Sequence, residues 1–155
     1  MIKIDGVSLS YGAFRALNRV SLQIADGSVC GLIGSNGSGK STLLRTLCGV
    51  FKTDEGAICY DDRPVYENDE VKSQIVYLSD EQYFFPHCTM SDMAQFYASV
   101  YKGFSYERFY NLAGRFGLSA DRKINTFSKG MMKQASVILA LACDTRYLLL
   151  SLIHI

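Results

Sequence analysis

The chain has 155 residues, of which 48% are hydrophobic and 20% charged, and its formal net charge is +1. That balance excludes a disordered or low-complexity segment, and the length suits one domain or a large part of a bigger one. A near-neutral charge offers no basic stripe for DNA or RNA, so no nucleic-acid partner is expected.

The start, Met1-Ile2-Lys3-Ile4-Asp5, has charges where a secretion signal needs its apolar centre. The longest strongly apolar run, Ala135 to Cys143, is shorter than the roughly 20 residues that cross a bilayer. A soluble, cytoplasmic chain is therefore expected, with any membrane role exercised through a partner. Cys30, Cys48, Cys59, Cys88 and Cys143 form no C-x-x-C pair and read as free buried thiols, not as a metal or redox site.

In chain order, Ile2, Ile4, Val7 and Leu9 are spaced along an extended start. Val20 to Ile24 alternates apolar and polar, Asp26-Gly27 signals a turn, and Ser28 to Ile33 resumes as a strand. Two strands joined through Asp-Gly predict an antiparallel layer. Next comes Gly34-Ser35-Asn36-Gly37-Ser38-Gly39-Lys40-Ser41, which fits G-x-x-x-x-G-K-[ST]. Glycines let the backbone curl so that successive N–H groups face phosphate oxygens, and the start of the following helix adds a favourable dipole. Lys40 supplies a point charge for the β- and γ-phosphates, and the Ser41 hydroxyl can ligate Mg²⁺. Thr42 completes the set. ATP and Mg²⁺ are the expected ligands. With glycine at about 7% of ordinary sequence, a chance match between an apolar strand and a helix is a poor explanation.

Lys40 to Val50 reads as a helix closed by Gly49, and Ile75 to Leu78 as a short buried strand. After Pro86 the pattern turns helical: Met93, Phe96, Tyr97, Val100 and Tyr101, then Phe109, Leu112, Ala113 and Phe116. This block, about 87–125, lies between sheet-like regions and is expected to be an inserted subdomain. Ser128 precedes an apolar helix from Lys129 to Ala142, and Tyr147 to Leu150 is a last buried strand. The fold class is thus α/β: a P-loop core with an antiparallel β subdomain and a helical insert.

A phosphate loop alone does not name a family, but a second segment narrows the choice. Phe127-Ser128-Lys129-Gly130-Met131 resembles the L-S-G-G-Q signature of ATP-binding cassette (ABC) proteins. Phe127 stands for the Leu, Ser128 and Gly130 match, and Lys129 and Met131 depart from the usual Gly and Gln. In that family the signature touches the γ-phosphate held by a second subunit. Ser128 also suits a plain helix N-cap. Tyr11-Gly12 resembles the family's aromatic loop, which stacks on adenine; otherwise Tyr11 is a strand-end tyrosine. Tyr77-Leu78-Ser79-Asp80-Glu81 falls at the Q-loop, where the resemblance gives Asp80 a role at Mg²⁺, with Gln82 as its rival. Tyr83-Phe84-Phe85-Pro86 falls where the family forms a groove for the membrane subunit. Its aromatics could equally pack the insert onto the sheet.

The resemblance covers residues 1–149 and implies an ATPase subunit that pairs head-to-tail with a second one. It also implies coupling to a membrane-spanning permease, on the inner face of the cell membrane. Family members follow the last strand with an Asp for Mg²⁺ and a Glu for water. Here Ser151-Leu152-Ile153-His154-Ile155 follows instead, so no catalytic residue is assigned and the chain is expected to bind nucleotide without hydrolysing it. His87 and His154 match no family position. Residues 150–155 are what the transposon end used in sequencing libraries encodes, and are read as a non-native tail; a short strand in a truncated gene is the other reading. Two rival functions fit the sequence less well. A soluble ABC protein acting on ribosomes or DNA would carry a second cassette, a charged linker or a metal insert. A P-loop kinase outside the family leaves Ser128-Lys129-Gly130 without a role.

Overall fold

A computed structural model of the protein describes residues 1–151. Leu152 to Ile155, including His154 and most of the anticipated tail, lie outside the described residues. The backbone divides into two compact units, Met1–Lys72 and the part from Ser73 onward.

In the first unit the apolar residues spaced along the start form β1 (Ile2–Tyr11). The chain turns at Gly12, whose φ of 58° needs no Cβ, into β2 (Phe14–Ile24), with Ile2 opposite Ile24 and Tyr11 opposite Phe14. The antiparallel layer exists, but its hairpin closes at Gly12 and not at Asp26-Gly27. The expected strand over Ser28–Ile33 does not form: it carries no regular structure, and Val29 and Ile33 are 101% and 95% exposed. A strand exists only through its ladder, and among the described residues none pairs with this run. Alternation in sequence reports a suitable surface, not a partner.

Helix α1 (Lys40–Leu47) follows, ended by Gly49 at φ 68° in the C-terminal position that glycine favours. Strands β3 (Glu55–Tyr60) and β4 (Arg63–Pro64) complete an antiparallel sheet of order β2-β1-β3-β4. β3 lies against β1 so closely that a Cβ on Gly56 would stand 2.3 Å from the Asp5 carbonyl oxygen. Ile2, Ile4, Val7, Leu9, Leu17, Ile58 and Tyr60 are buried, as are Leu43 and Leu47 of α1. Tyr60 donates its hydroxyl to the Leu47 carbonyl at 3.0 Å, tying the sheet to the end of α1. Fully buried Ser8 is satisfied because the Arg19 amide donates to its Oγ. A short helix, α2 (Asp69–Lys72), ends the unit.

The second unit pairs β5 (Ile75–Leu78) with β6 (Tyr147–Leu150) in parallel, Ile75 opposite Tyr147. Parallel neighbours require a long crossover. It consists of α3 (Met90–Val100), α4 (Tyr106–Arg115), a 3-10 turn at Ile124–Thr126 and α5 (Lys129–Ala142). Each of the three long helices begins on a side-chain cap: Thr89 with Asp92 in a capping box, Ser105, and Ser128. Their apolar faces meet around fully buried Phe109, Met90, Ile138 and Leu139. β6 is less buried than expected. Tyr147 is covered, but Leu148 and Leu150 are 38% and 37% exposed, because among the described residues its ladder runs to β5 alone.

The cysteines also differ in part from expectation: Cys88 and Cys143 are buried, Cys48 and Cys59 half-buried, and Cys30 exposed. Burial pushes the Cys48 and Cys143 thiols up to about 12 and raises that of Cys88 as well, which disfavours the reactive thiolate. Iodoacetamide at pH 8 should therefore label Cys30 well before Cys48, Cys88 or Cys143, as peptide mass mapping would read directly. Phe109→Ala should cost about 3–5 kcal/mol of stability through the lost burial and the cavity left behind, measured by urea denaturation.

Candidate functional site

The segment from Gly34 to Thr42 is shaped by backbone conformations that side chains resist. Gly37 and Gly39 have φ of 81° and 88°, in the left-handed region. At Gly39 a Cβ would also stand 2.5 Å from the Ala16 carbonyl oxygen of β2. Alanine is thus disfavoured there twice, by conformation and by contact. Gly39 is the N-cap of α1 and leaves that helix with no side-chain cap and no acid in its first turn.

The first intrahelical bond is donated by the Leu43 amide to the Gly39 carbonyl. The amides before it have no partner along the helix and point their partial positive charge outward. Lys40 curls back over the loop, donating from Nζ to the carbonyls of Gly34 and Ser35, both at 2.7 Å. The Ser38 amide donates to the Ser35 carbonyl at 3.2 Å and closes the turn. An ammonium group and a row of outward amides in one concavity are what a polyphosphate requires.

Ser41 begins the same helix turn and offers a hydroxyl oxygen, a donor that a hard cation accepts. Among the described residues no group of three or more His, Cys, Asp or Glu could hold a metal. A cation at this site would take the Ser41 hydroxyl and draw most of its shell from ligand phosphates and water, the habit of Mg²⁺.

Tyr11, at the end of β1, belongs to the same unit. It is 47% exposed, donates its hydroxyl to Thr42 Oγ1 at 3.4 Å, and meets Phe51 edge-to-face with ring centroids 5.9 Å apart. Phe51 escaped the sequence reading. Its signal was an aromatic residue just past the helix-ending Gly49, at a position whose neighbours only the fold reveals.

The remaining predicted residues lie in the second unit. Asp80, just past β5, is mostly covered and sits 3.7 Å from Lys133 Nζ on α5. Lys133 was not foreseen either, since the pairing spans the whole crossover. Gln82 instead lines a groove with Tyr83, Phe85, Phe96 and Tyr97. Within the aromatic run Tyr83 is 75% and Phe85 40% exposed, whereas half-buried Phe84 packs against the helical core. Ser128 caps α5, its Oγ accepting from the Met131 amide at 3.2 Å. Ser128, Lys129 and Gly130 are exposed, while Phe127 beneath them is buried.

Comparison with known proteins agrees with this geometry. A family model described as ABC transporter matches residues 17–150. The chain is 29% identical over 150 residues to the ABC transporter ATP-binding protein YtrB of Bacillus subtilis, covering 97% of this chain and 51% of that one. It is 34% identical over 154 residues to the probable sulfate/thiosulfate import ATP-binding protein CysA of Chlorella vulgaris, covering 96% and 65%. The chain thus spans about half to two thirds of these relatives. Among solved structures, the dimeric bacterial ABC transporter cassette MJ0796 superposes with a TM-score of 0.82 at 25% identity, over 97% of this chain and 73% of that one. With its phosphate loop and the match over most of its length, the chain belongs to the ABC transporter ATP-binding family, on a P-loop NTPase fold.

Proposed function

We propose that the chain is the MgATP-binding part of a transporter's ATPase subunit, which couples ATP binding and hydrolysis to transport through a membrane-spanning permease. One observation carries this most: α1 starts uncapped under a glycine-curled loop, with Lys40 folded into the same concavity. The other long helices of the chain all close their first turn with a side chain. A triphosphate would take the amides at the start of α1, residues 39–42, with Lys40 moving from the Gly34 and Ser35 carbonyls to phosphate oxygens. Ser41 would hold Mg²⁺, and the family resemblance gives Asp80 a role at that ion. The Q-loop assignment to Asp80 over Gln82 rests on the family resemblance.

Ser128 and Gly130 are proposed to face the γ-phosphate bound by a second subunit in a head-to-tail dimer; the MJ0796 cassette, similar in fold, is dimeric. The exposed rings of Tyr83 and Phe85 would receive the permease, and hold the subunit at the inner face of the membrane. No described helix is long and apolar enough to cross one. Relatives named as ATP-binding proteins of sulfate/thiosulfate import and of ribose import favour transport over action on ribosomes or DNA; a net charge of +1 points the same way.

Lys40→Ala should abolish binding of a fluorescent ATP analogue. Unchanged affinity in that variant would refute the phosphate-loop assignment. Hydrolysis is assigned to the whole protein. Neither Ser151, bonded through its amide to the Leu78 carbonyl at 2.9 Å, nor the residues after it supply a carboxylate, so water has no base and the metal no acid from β6. The 155-residue chain should show no Lys40-dependent phosphate release above background in a phosphate-sensor assay. Clear Lys40-dependent release would show that another residue activates the water.

A further inference from the structure

We infer that Phe51, acting with Thr42, is a positioning residue for base recognition, holding the Tyr11 ring as a rigid platform beside the phosphate loop. The inference rests on the nucleotide reading above and extends it to Phe51, which that reading does not use.

Tyr11 lies just before the Gly12 turn, at the tip of the β1–β2 hairpin, and is 47% exposed. A ring in that position would ordinarily rotate about χ2 and move with the tip. Two contacts restrain it. Its hydroxyl donates to Thr42 Oγ1 at 3.4 Å, and Thr42 stands in the first turn of α1, directly after Lys40 and Ser41. Its ring meets Phe51 at a centroid distance of 5.9 Å and an interplanar angle of 82°, the edge-to-face arrangement favoured by aromatic quadrupoles. Phe51 is half-buried and follows α1 closely, after Gly49 ends that helix. Both restraints therefore come from the two ends of the helix that presents the phosphate-binding amides. The ring is located relative to the phosphates by α1 rather than by the hairpin that carries it.

A platform fixed in this way loses little conformational entropy when a flat heterocycle stacks on it. The ligand part it serves is the base, since the phosphates are already matched by the loop. Phe51 should therefore contribute to affinity for a nucleotide and nothing to affinity for a bare polyphosphate.

The test is competition binding on the full 155-residue chain, with ATP and inorganic tripolyphosphate as competitors. Phe51→Leu should weaken ATP about fivefold, in line with the energy of one aromatic pair, and leave tripolyphosphate within about twofold. Phe51→Tyr, which keeps a ring, should restore ATP affinity, and Tyr11→Ala should lose at least as much as Phe51→Leu. Tripolyphosphate binding doubles as the check that each variant folds, because the phosphate loop lies in the same unit. Unchanged ATP affinity in Phe51→Leu, or an equal loss for both ligands, would overturn the inference while leaving the nucleotide reading intact. Failure of the unmodified chain to bind either ligand would overturn both.

Discussion

The first unit depends on keeping one helix start unsatisfied. A helix leaves four amides without intrahelical partners, and a side-chain cap typically recovers about 1 kcal/mol. α1 forgoes that gain, and the surrounding structure fixes its position by other means. Gly39 fits against the Ala16 carbonyl where no Cβ could go, which locks the loop to β2. At the other end the Leu47 carbonyl accepts from Tyr60, which locks the helix to β3. Between these anchors Leu43 and Leu47 are buried. The hairpin and the third strand thus hold a helix whose first amides point to solvent and whose lysine rests on carbonyls that an anion can displace.

The second unit meets the same problem in the opposite way. Ser128 closes the first turn of α5 by accepting from Met131, yet a hydroxyl that accepts still has its proton to donate. The cap therefore stabilises the helix while leaving one donor at an exposed positive end. Beneath it one face of the helix is apolar, because it packs against both the parallel pair and the preceding helices: Ala135, Ile138, Leu139 and Ala142 are each fully buried. The aromatic run after β5 is divided by the same packing demand. Phe84 is drawn against the core and its two neighbours are left at the surface.

How much of this could be read in the sequence depends on the range of the forces involved. The phosphate loop, β5, α5 and β6 were legible because each is bounded by local chemistry: glycines, a capping serine, or an apolar run of the right length. The hairpin was misplaced because the first half of β2, Phe14 to Arg19, does not alternate apolar with polar residues, and its strand character comes only from pairing with β1. Ser28 to Ile33 failed for the reverse reason: its side chains suit a strand, but no described strand bonds to it. Phe51 and Lys133 were invisible for want of their partners. Tyr11 lies on another element from Phe51, and Asp80 is separated from Lys133 by the whole helical insert.

The two departures from the family signature have different physical meanings. Met131 stands where the L-S-G-G-Q signature has its glutamine, and here it is half-buried against the helical core, so it packs where a polar amide would need a partner. Lys129 has no such justification. It occupies the first position of α5 and is exposed, where a cation opposes the helix dipole by about 0.3–1 kcal/mol. The Ser128 cap, worth about 1 kcal/mol, is enough to offset that cost, so the helix forms with its positive end made more positive still. Such an end is poorly matched to neutral surroundings and well matched to a polyanion. Under the proposed dimer, the polyanion is the triphosphate on the opposing subunit's phosphate loop. In that dimer Lys129 would add a charge to a contact that the signature's glycine would leave to backbone amides alone.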